Sequence, residues 1–111
     1  MHDEVKKFLT DISESIISIE QYLVNSKEFS QYEANKMLKR AVERELEIIG
    51  EAISRIKKIN PEIIITSSRK IIDLRNKVIH AYDAVDDTII WGIIIKHLPV
   101  LKTEVENLLK V

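Results

Sequence analysis

Apolar residues recur at intervals of three and four positions along much of this chain, which is the spacing of one face of an α-helix. The first such stretch predicts a helix from about Asp3 to Asn25. Its apolar positions are Val5, Leu9, Ile12, Ile16, Ile19 and Leu23. Residues 25–28 are polar, and we expect them to close this helix.

The second stretch predicts a long helix from Ser30 to about Lys58. Ser30 and Glu33 have the spacing of a capping box, in which two side chains bond backbone N–H groups at a helix start. Gly50 lies inside this helix, where glycine costs about 1 kcal/mol relative to alanine. We therefore expect a neighbouring helix to pack closely at Gly50. The apolar positions of the stretch are Ala34, Leu38, Val42, Leu46, Ile49, Ile53 and Ile56.

A third helix is predicted from about Ser68 to Ala81 or Tyr82. The dipeptide 60–61, Asn-Pro, ends the second helix, because the residue before a proline is driven out of the helical region. Residues 62–67 then form a connection. Its three successive isoleucines are consistent with either a short strand or a turn of helix.

A fourth helical pattern follows a turn over residues 83–86. Asp86 or Asp87 is the predicted cap, and the pattern reaches about Lys110. Pro99 lies within it, and a proline inside a helix removes a hydrogen bond and clashes with the preceding turn. We therefore expect Pro99 to kink this helix or to divide it in two.

The composition narrows the class of protein. The 111 residues include only two Gly and two Pro, so turns are few and the elements are long. We predict one all-α domain over residues 1–111, an antiparallel bundle of four to five helices. The absence of cysteine excludes a disulfide scaffold, a thiolate zinc site and a cysteine nucleophile. No apolar run is long enough to span a bilayer, and a cytoplasmic protein without membrane contact is expected.

The third helix carries the candidate chemistry. Arg75 and Tyr82 fall inside or beside its apolar face, while the opposite side carries Asp73, Asn76, Lys77 and His80. Burying the Arg75 guanidinium without a partner would cost several kcal/mol, about the penalty of an uncompensated charge. Either a carboxylate meets it, or it lines a cleft that receives an anion. Glu47 and Glu51 of the second helix are the natural carboxylates, and Asp73 is a further candidate for support.

His80 lies one turn beyond Asn76, which is near enough to orient its ring. An imidazole can move a proton near neutral pH, and a guanidinium matches phosphate oxygens. The pair could therefore cleave a phosphodiester without a metal or cofactor. The commoner outcome of an Arg and a His five positions apart is a structural ion pair and a surface histidine. His2 and His97 lie too far away in sequence to form a metal-ligand motif.

The net charge bears on the substrate. With 17 basic and 18 acidic side chains, the formal net charge is -1. This balance argues against a protein that coats nucleic acid, although it leaves room for a local basic site at one phosphodiester.

The segment from Arg75 to Tyr82, Arg-Asn-Lys-Val-Ile-His-Ala-Tyr, resembles the signature of the HEPN superfamily. The tyrosine two positions after the histidine is similar to the HepT-like branch, whose toxins pair with a minimal nucleotidyltransferase antitoxin of the MntA type. Residues 46–52 and the pair of segments 89–91 and 98–99 resemble that branch's second and last helices. Ala81 is a departure, since the branch usually has glycine there. Its Cβ removes some backbone freedom and no catalytic atom.

The resemblance implies a homodimer of HEPN-like bundles in which two Arg–His motifs face each other across a cleft. It implies a metal-independent endoribonuclease acting on RNA, with tRNA among the candidates. In that reading Arg75 binds the scissile phosphate, His80 moves the proton, and Asn76 positions His80 or the substrate. Tyr82 is the residue to which the antitoxin transfers AMP, an anionic group that blocks RNA.

Two other functions compete with the ribonuclease toxin. The chain could be a non-catalytic partner that binds nucleotide or substrate for a separate nucleotidyltransferase. It could also be a purely structural helical dimer. The intact set of Arg75, Asn76, His80 and Tyr82 favours the toxin, because a binding module has less need of all four.

Overall fold

The computed structural model describes residues 2–80 and 86–110, with the side chains of Ile79 and His80 excepted. All regular secondary structure in these two ranges is helical. The helices are α1 (Asp3–Tyr22), α2 (Phe29–Ala34), α3 (Lys36–Ile59), α4 (Ser68–His80), α5 (Asp87–Lys96) and α6 (Leu98–Leu109). The prediction of an all-α bundle is confirmed. In the described part of the chain, no helix has the length and apolar character needed to cross a membrane.

Helices α1 and α3 form the centre of the bundle because their apolar stripes face each other. Tyr22, at the end of α1, donates a hydrogen bond to Glu45 in the first half of α3. Phe8, near the start of α1, lines the same groove as Ala52, farther along α3. The two helices therefore run in opposite directions. Their buried apolar residues include Val5, Leu9, Ile12, Ile16 and Ile19 of α1 and Leu46, Ile49, Ile53 and Ile56 of α3.

The predicted second helix is divided in two at Asn35, which corrects the prediction of one helix from Ser30 to Lys58. The Asn35 side chain accepts a hydrogen bond from the backbone N–H of Leu38 and so caps α3. The prediction that Ser30 begins the second helix as its cap is also wrong. The observed capping box is formed by Glu28 and Gln31, and Ser30 lies inside α2.

Two other boundaries differ little from expectation. Helix α1 ends at Tyr22, and the next three residues are a turn, so the predicted end at Asn25 was three residues late. Helix α3 ends before Asn60, as predicted. The connection over residues 62–67 contains neither a strand nor a turn of helix at its isoleucines, only turns and irregular chain.

Asp86 caps α5 by accepting from the backbone N–H of Thr88 at 2.8 Å, one of the two predicted caps. The last helical pattern is divided at His97, and Pro99 falls in the first turn of α6, where its missing N–H costs nothing. Of the two outcomes open at Pro99, division is therefore the one observed. Trp91 of α5 packs against Tyr32 of α2 with ring centroids 5.4 Å apart.

The turn that precedes α4 is fastened to α6 and to the α5–α6 junction. Glu104 of α6 accepts hydrogen bonds from the Thr66 hydroxyl at 2.6 Å and from the Thr66 backbone N–H at 3.1 Å. The Ser67 hydroxyl lies 2.9 Å from Nδ1 of His97. These contacts fix the start of α4, the helix that carries the candidate site.

Candidate active site

Helix α4 places Arg75 at the boundary between the core and solvent. Ile71, Leu74 and Val78 of the same helix are buried against the bundle. Arg75 projects toward α3 rather than into open water, and its side chain keeps 25% of its surface exposed. This is the half-buried position that the helical pattern predicted for it.

Glu51 of α3 is the carboxylate that meets Arg75. The two are joined by an ion pair of 2.6 Å between Nη2 of Arg75 and Oε2 of Glu51. Arg55, one turn along α3, donates from Nε to the other Glu51 oxygen at 2.9 Å. The hydrogen bond from Arg55, with the positive charges of Arg75 and Arg55, lowers the pKa of Glu51 below its ordinary value. Glu47, the other predicted partner, is instead paired with Arg44 at 3.1 Å.

Gly50 lets α4 approach α3 closely enough for this contact. A Cβ built at Gly50 would lie 2.6 Å from the Cβ of Arg75 and 3.4 Å from the backbone oxygen of Ile71. The first distance is shorter than real carbon contacts allow, so a side chain at position 50 would push α4 away. The prediction of a close neighbour at Gly50 is confirmed, and the neighbour is Arg75 itself.

The guanidinium keeps part of its hydrogen-bonding capacity. Nη1 of Arg75 donates to Oδ1 of Asn76 at 3.0 Å. Its Nε is buried and has no hydrogen-bond partner among residues 2–80 and 86–110. Since a guanidinium has five N–H donors, the contacts to Glu51 and Asn76 leave donors for a ligand. Arg75 also lines a groove of about 310 Å³ between α1, α3 and α4. Of the two alternatives foreseen for Arg75, the carboxylate partner is therefore observed. The binding of an anion in the groove stays a prediction.

The other predicted site residues are only partly described. Asn76 is exposed and in contact with Arg75. His80 is the last residue of α4, one turn beyond Asn76 along the backbone, and its side chain lies outside what the structure describes. Tyr82 belongs to residues 81–85, which also lie outside the described residues. The assembly of Arg75 with His80 remains a prediction.

A second groove, of about 390 Å³, runs between α4 and α5 on the side of α4 away from Arg75. Asp73 and Lys77, both predicted members of the polar cluster, line this groove together with Leu74. Asp73 is therefore separated from Arg75 by the width of the helix. His97 lines the end of the groove formed by α5, half-buried and bonded to Ser67.

Comparison with protein-family models matches residues 12–108 to the family described as "Ribonuclease HepT-like". The chain belongs to the ribonuclease HepT-like family. The match covers Arg75, Asn76, Glu51 and Gly50, together with every helix after the first turns of α1. The resemblance read from the Arg75–Tyr82 segment is thereby confirmed at the level of the family.

Individual relatives agree with this assignment. The chain is 38% identical over 111 residues to a Thermococcus cleftensis protein named "Probable ribonuclease HepT", covering 95% of this chain and 96% of that protein. It is 34% identical over 108 residues to a Methanocaldococcus jannaschii protein named as an RNase, covering 96% of this chain and 88% of the other. A second RNase-named protein of the same organism is 35% identical over 104 residues, covering 93% and 94%. No solved structure matches the chain.

One part of the surface of this HepT-like chain was not predicted from the sequence. Lys70, Leu74 and Lys77 lie at helical spacing along α4, so their shared face could have been read from the sequence. Lys96 of α5, which lies across the groove from them, gave no such signal, because its position depends on how two separate helices pack.

Proposed function

We propose that this HepT-like chain is the toxin of a toxin–antitoxin pair and a metal-independent endoribonuclease. The observation that carries the proposal is the placement of Arg75. Its guanidinium is half-buried, oriented by Glu51 and left with free donors, five residues before His80. Oriented charge of this kind is what the developing charge on a phosphodiester requires. The relatives that are named as ribonucleases support the same reading.

In the proposed reaction, the 2′-oxygen of one nucleotide attacks the adjacent phosphorus, and the bond from phosphorus to the 5′-oxygen of the next nucleotide breaks. A proton leaves the 2′-hydroxyl, and the departing 5′-oxygen gains one. His80 carries a proton at one of these oxygens, since an imidazole exchanges protons near neutral pH. Arg75 binds the non-bridging phosphate oxygens, and Asn76 positions His80 or the substrate.

We propose that the working site is composite and lies between two copies of the chain. Asn76 is exposed on α4, and it accepts a hydrogen bond from Nη1 of Arg75 at 3.0 Å. A second copy related by two-fold symmetry would present the same groups, and the two Arg–His motifs would then share one cleft. RNA is the substrate of this cleft, with tRNA among the candidates.

We propose further that the activity is switched off by AMP transfer to Tyr82, carried out by a partner nucleotidyltransferase of the MntA type. Tyr82 follows His80 by two residues in sequence. An added AMP would place a bulky anion next to the site, where it would repel the RNA backbone and occupy its space.

Replacing His80 tests the proposed reaction most directly. We expect wild-type protein expressed without its partner to arrest growth and cleave RNA, and His80→Ala to lose both effects. His2→Ala is the matched control, because it removes the same side chain from the exposed start of α1. If unmodified wild type and His80→Ala prove equally harmless, the chain is instead a non-catalytic binding partner of the nucleotidyltransferase.

Mass spectrometry tests the proposed modification. After co-expression with the nucleotidyltransferase, we expect the mass of added AMP on wild-type protein and none on Tyr82→Phe. Tyr22→Phe is the control, since Tyr22 is an exposed tyrosine on α1, remote in sequence from the motif. An adduct that persists in Tyr82→Phe would identify a different acceptor and contradict the assignment.

A further inference from the structure

The groove between α4 and α5 has no role in the reaction proposed above. Its volume is about 390 Å³, and its lining comes from the outer face of α4 and the facing side of α5. Three lysines line it: Lys70 and Lys77 from α4, and Lys96 from α5. The apolar part of the lining comprises Leu74, Ile89 and Ile93.

The lysines of this groove carry positive charge that the described residues leave unneutralised. Lys70, Lys77 and Lys96 are exposed, and none of them forms an ion pair with a residue in 2–80 or 86–110. Asp73 is the one carboxylate in the described lining. The chain as a whole has a formal net charge of -1, so this concentration of positive charge is local.

The groove beside Arg75 shows the contrasting arrangement. There Lys7 is paired with Asp11, Arg44 with Glu47, and Arg75 with Glu51. Within residues 2–80 and 86–110, basic side chains are therefore paired with carboxylates on one side of α4 and unpaired on the other. Unpaired lysines around a concave surface favour a polyanionic ligand.

The apolar lining narrows the choice of ligand. Ile89 is 49% exposed although it lines the groove, and a Cβ added at Gly92 would meet no atom within 4 Å. A free phosphate would need the lysines and not this open apolar surface. A single RNA strand uses both, because its phosphates meet the lysines and an unpaired base covers the exposed apolar surface of Ile89.

A second copy of the chain fits the groove less well. In a two-fold interface centred on the groove, the three lysines would face the same three lysines of the partner. Such a contact is repulsive unless an anion lies between the copies. Charge therefore favours RNA as the occupant.

We propose that the α4–α5 groove binds a single-stranded stretch of the RNA substrate, on the side of α4 opposite the Arg75 site. This inference rests on the proposed ribonuclease function. Lys70 and Lys77 lie two helical turns apart on α4, about 10 Å along its axis, so they contact different phosphates. Lys96 contacts the strand from the opposite wall. His97, whose ring is bonded to Ser67, also lines the groove.

The test measures binding separately from cleavage. The probe is a fluorescent single-stranded RNA oligonucleotide carrying 2′-O-methyl groups, which lacks the 2′-hydroxyl that cleavage needs. Its affinity is followed by fluorescence anisotropy over a series of salt concentrations. The test variant combines Lys70→Gln, Lys77→Gln and Lys96→Gln. The control combines Lys6→Gln, Lys27→Gln and Lys110→Gln, which removes the same charge from exposed lysines that also have no ion pair in the described residues.

The slope of log affinity against log salt is negative, and we expect the groove variant to make it less steep by about 2, since each phosphate contact on single-stranded nucleic acid contributes about −0.7. If the groove variant and the wild type bind equally at 1 M salt, this change in slope makes the variant bind roughly 100-fold more weakly than the wild type at 0.1 M salt. The control variant should keep the wild-type slope. Equal slopes in the two variants would overturn the proposal.

Two further measurements separate this inference from the proposed function. If the wild type cleaves no RNA and the groove variant still loses binding, the ribonuclease proposal fails and the groove stands. If the groove variant binds and cleaves like the control, the groove proposal fails and the ribonuclease stands. A change of oligomeric mass in light scattering, with RNA affinity unaltered, would identify the groove as a contact between copies and overturn the RNA assignment.

Discussion

The two sides of α4 each face a helical glycine, and the surroundings of the two glycines are opposite. On the α3 side, a Cβ at Gly50 would meet the side chain of Arg75 at 2.6 Å. On the α5 side, a Cβ at Gly92 would meet nothing within 4 Å. The first glycine allows α3 and α4 to touch at Arg75. The second leaves open space, which a ligand can occupy.

Charge pairing follows the same division. Next to Gly50, the guanidinium of Arg75 is matched by Glu51, which is itself held by Arg55. Next to Gly92, the lysines of the α4–α5 groove have no carboxylate partner within the described ranges. One side of α4 is thus preorganised by the protein alone, whereas the other obtains its counter-charge from what binds there.

Of the substitutions that test this comparison, Gly50→Ala is expected to have the largest effect on stability. The added methyl group would collide with Arg75 and force α4 outward, and overpacking of this kind costs about 1–3 kcal/mol. The helix propensity of alanine offsets part of this, by about 1 kcal/mol. We expect a lower free energy of unfolding in urea and a loss of RNA cleavage, because Arg75 moves with α4. Wild-type stability together with wild-type cleavage would show that α4 accommodates the methyl group without moving Arg75.

Gly92→Ala is the matched substitution on the open side and should act in the opposite direction. Its methyl group has free space, so only the helix propensity changes. We expect the free energy of unfolding to rise by up to about 1 kcal/mol. Thermal and urea denaturation at one protein concentration measure it. A destabilised Gly92→Ala would mean that something covers this part of α5 in solution, and the contrast between the two glycines would then be lost.

The smallest effect on stability is expected from Glu51→Gln. The pKa of Glu51 is lowered in the folded protein, so the ionised form contributes stability at pH values above its ordinary pKa of 4.5. That contribution disappears as the pH falls through the lower, folded-state pKa. Because the Glu51 side chain is 41% exposed and solvent screens the pair, its value at pH 7 is at most about 1 kcal/mol.

Urea denaturation of wild type and Glu51→Gln should therefore differ at pH 7 and converge in acid. Glu47→Gln is the control, since Glu47 is paired with Arg44 and leaves Arg75 its partner. A difference between wild type and Glu51→Gln that is the same at pH 7 and at pH 3 would show that charge is not the source of the contact's stability.

Much of the contact between α4 and α3, on the Gly50 side of α4, could be predicted from the sequence. The apolar period placed the core residues of α1 and α3, and Gly50 stood out as a glycine that a helix interior disfavours. Glu47 and Glu51 of the second helix were predicted as the natural carboxylates for Arg75, on the condition that the second and third helices are neighbours. Only the packing of α3 on α4 decides between them, and a difference of one helical turn is beyond what a periodic pattern resolves.

The break at Asn35 illustrates what the periodic pattern hides. The apolar spacing continues from Ala34 to Leu38 across the break, so the pattern alone predicts one helix. The decision is local: the Asn35 side chain bonds the Leu38 N–H and replaces a helical hydrogen bond. The same limit applies to the start of α2, where Glu28–Gln31 and Ser30–Glu33 both have capping spacing and only the first pair forms the box.

The α4–α5 groove lay beyond sequence analysis for a different reason. Its two walls belong to helices that are separated along the chain by residues 81–86, and the charges on α5 acquire meaning only opposite those on α4. The resemblance to the HepT-like family directed attention to Arg75 and His80 and said nothing of Lys96.

The hydrogen bonds from Thr66 to Glu104 and between Ser67 and His97 fix the position of the beginning of α4. When a helix tilts about one fixed end, each residue is displaced in proportion to its distance from that end. Arg75 lies about halfway along α4, and His80 is its last residue. A tilt of α4 about its first turn would therefore displace the backbone of His80 roughly twice as far as the backbone of Arg75. The distance between the two side chains and a bound phosphate thus depends on the angle of α4 as much as on its position.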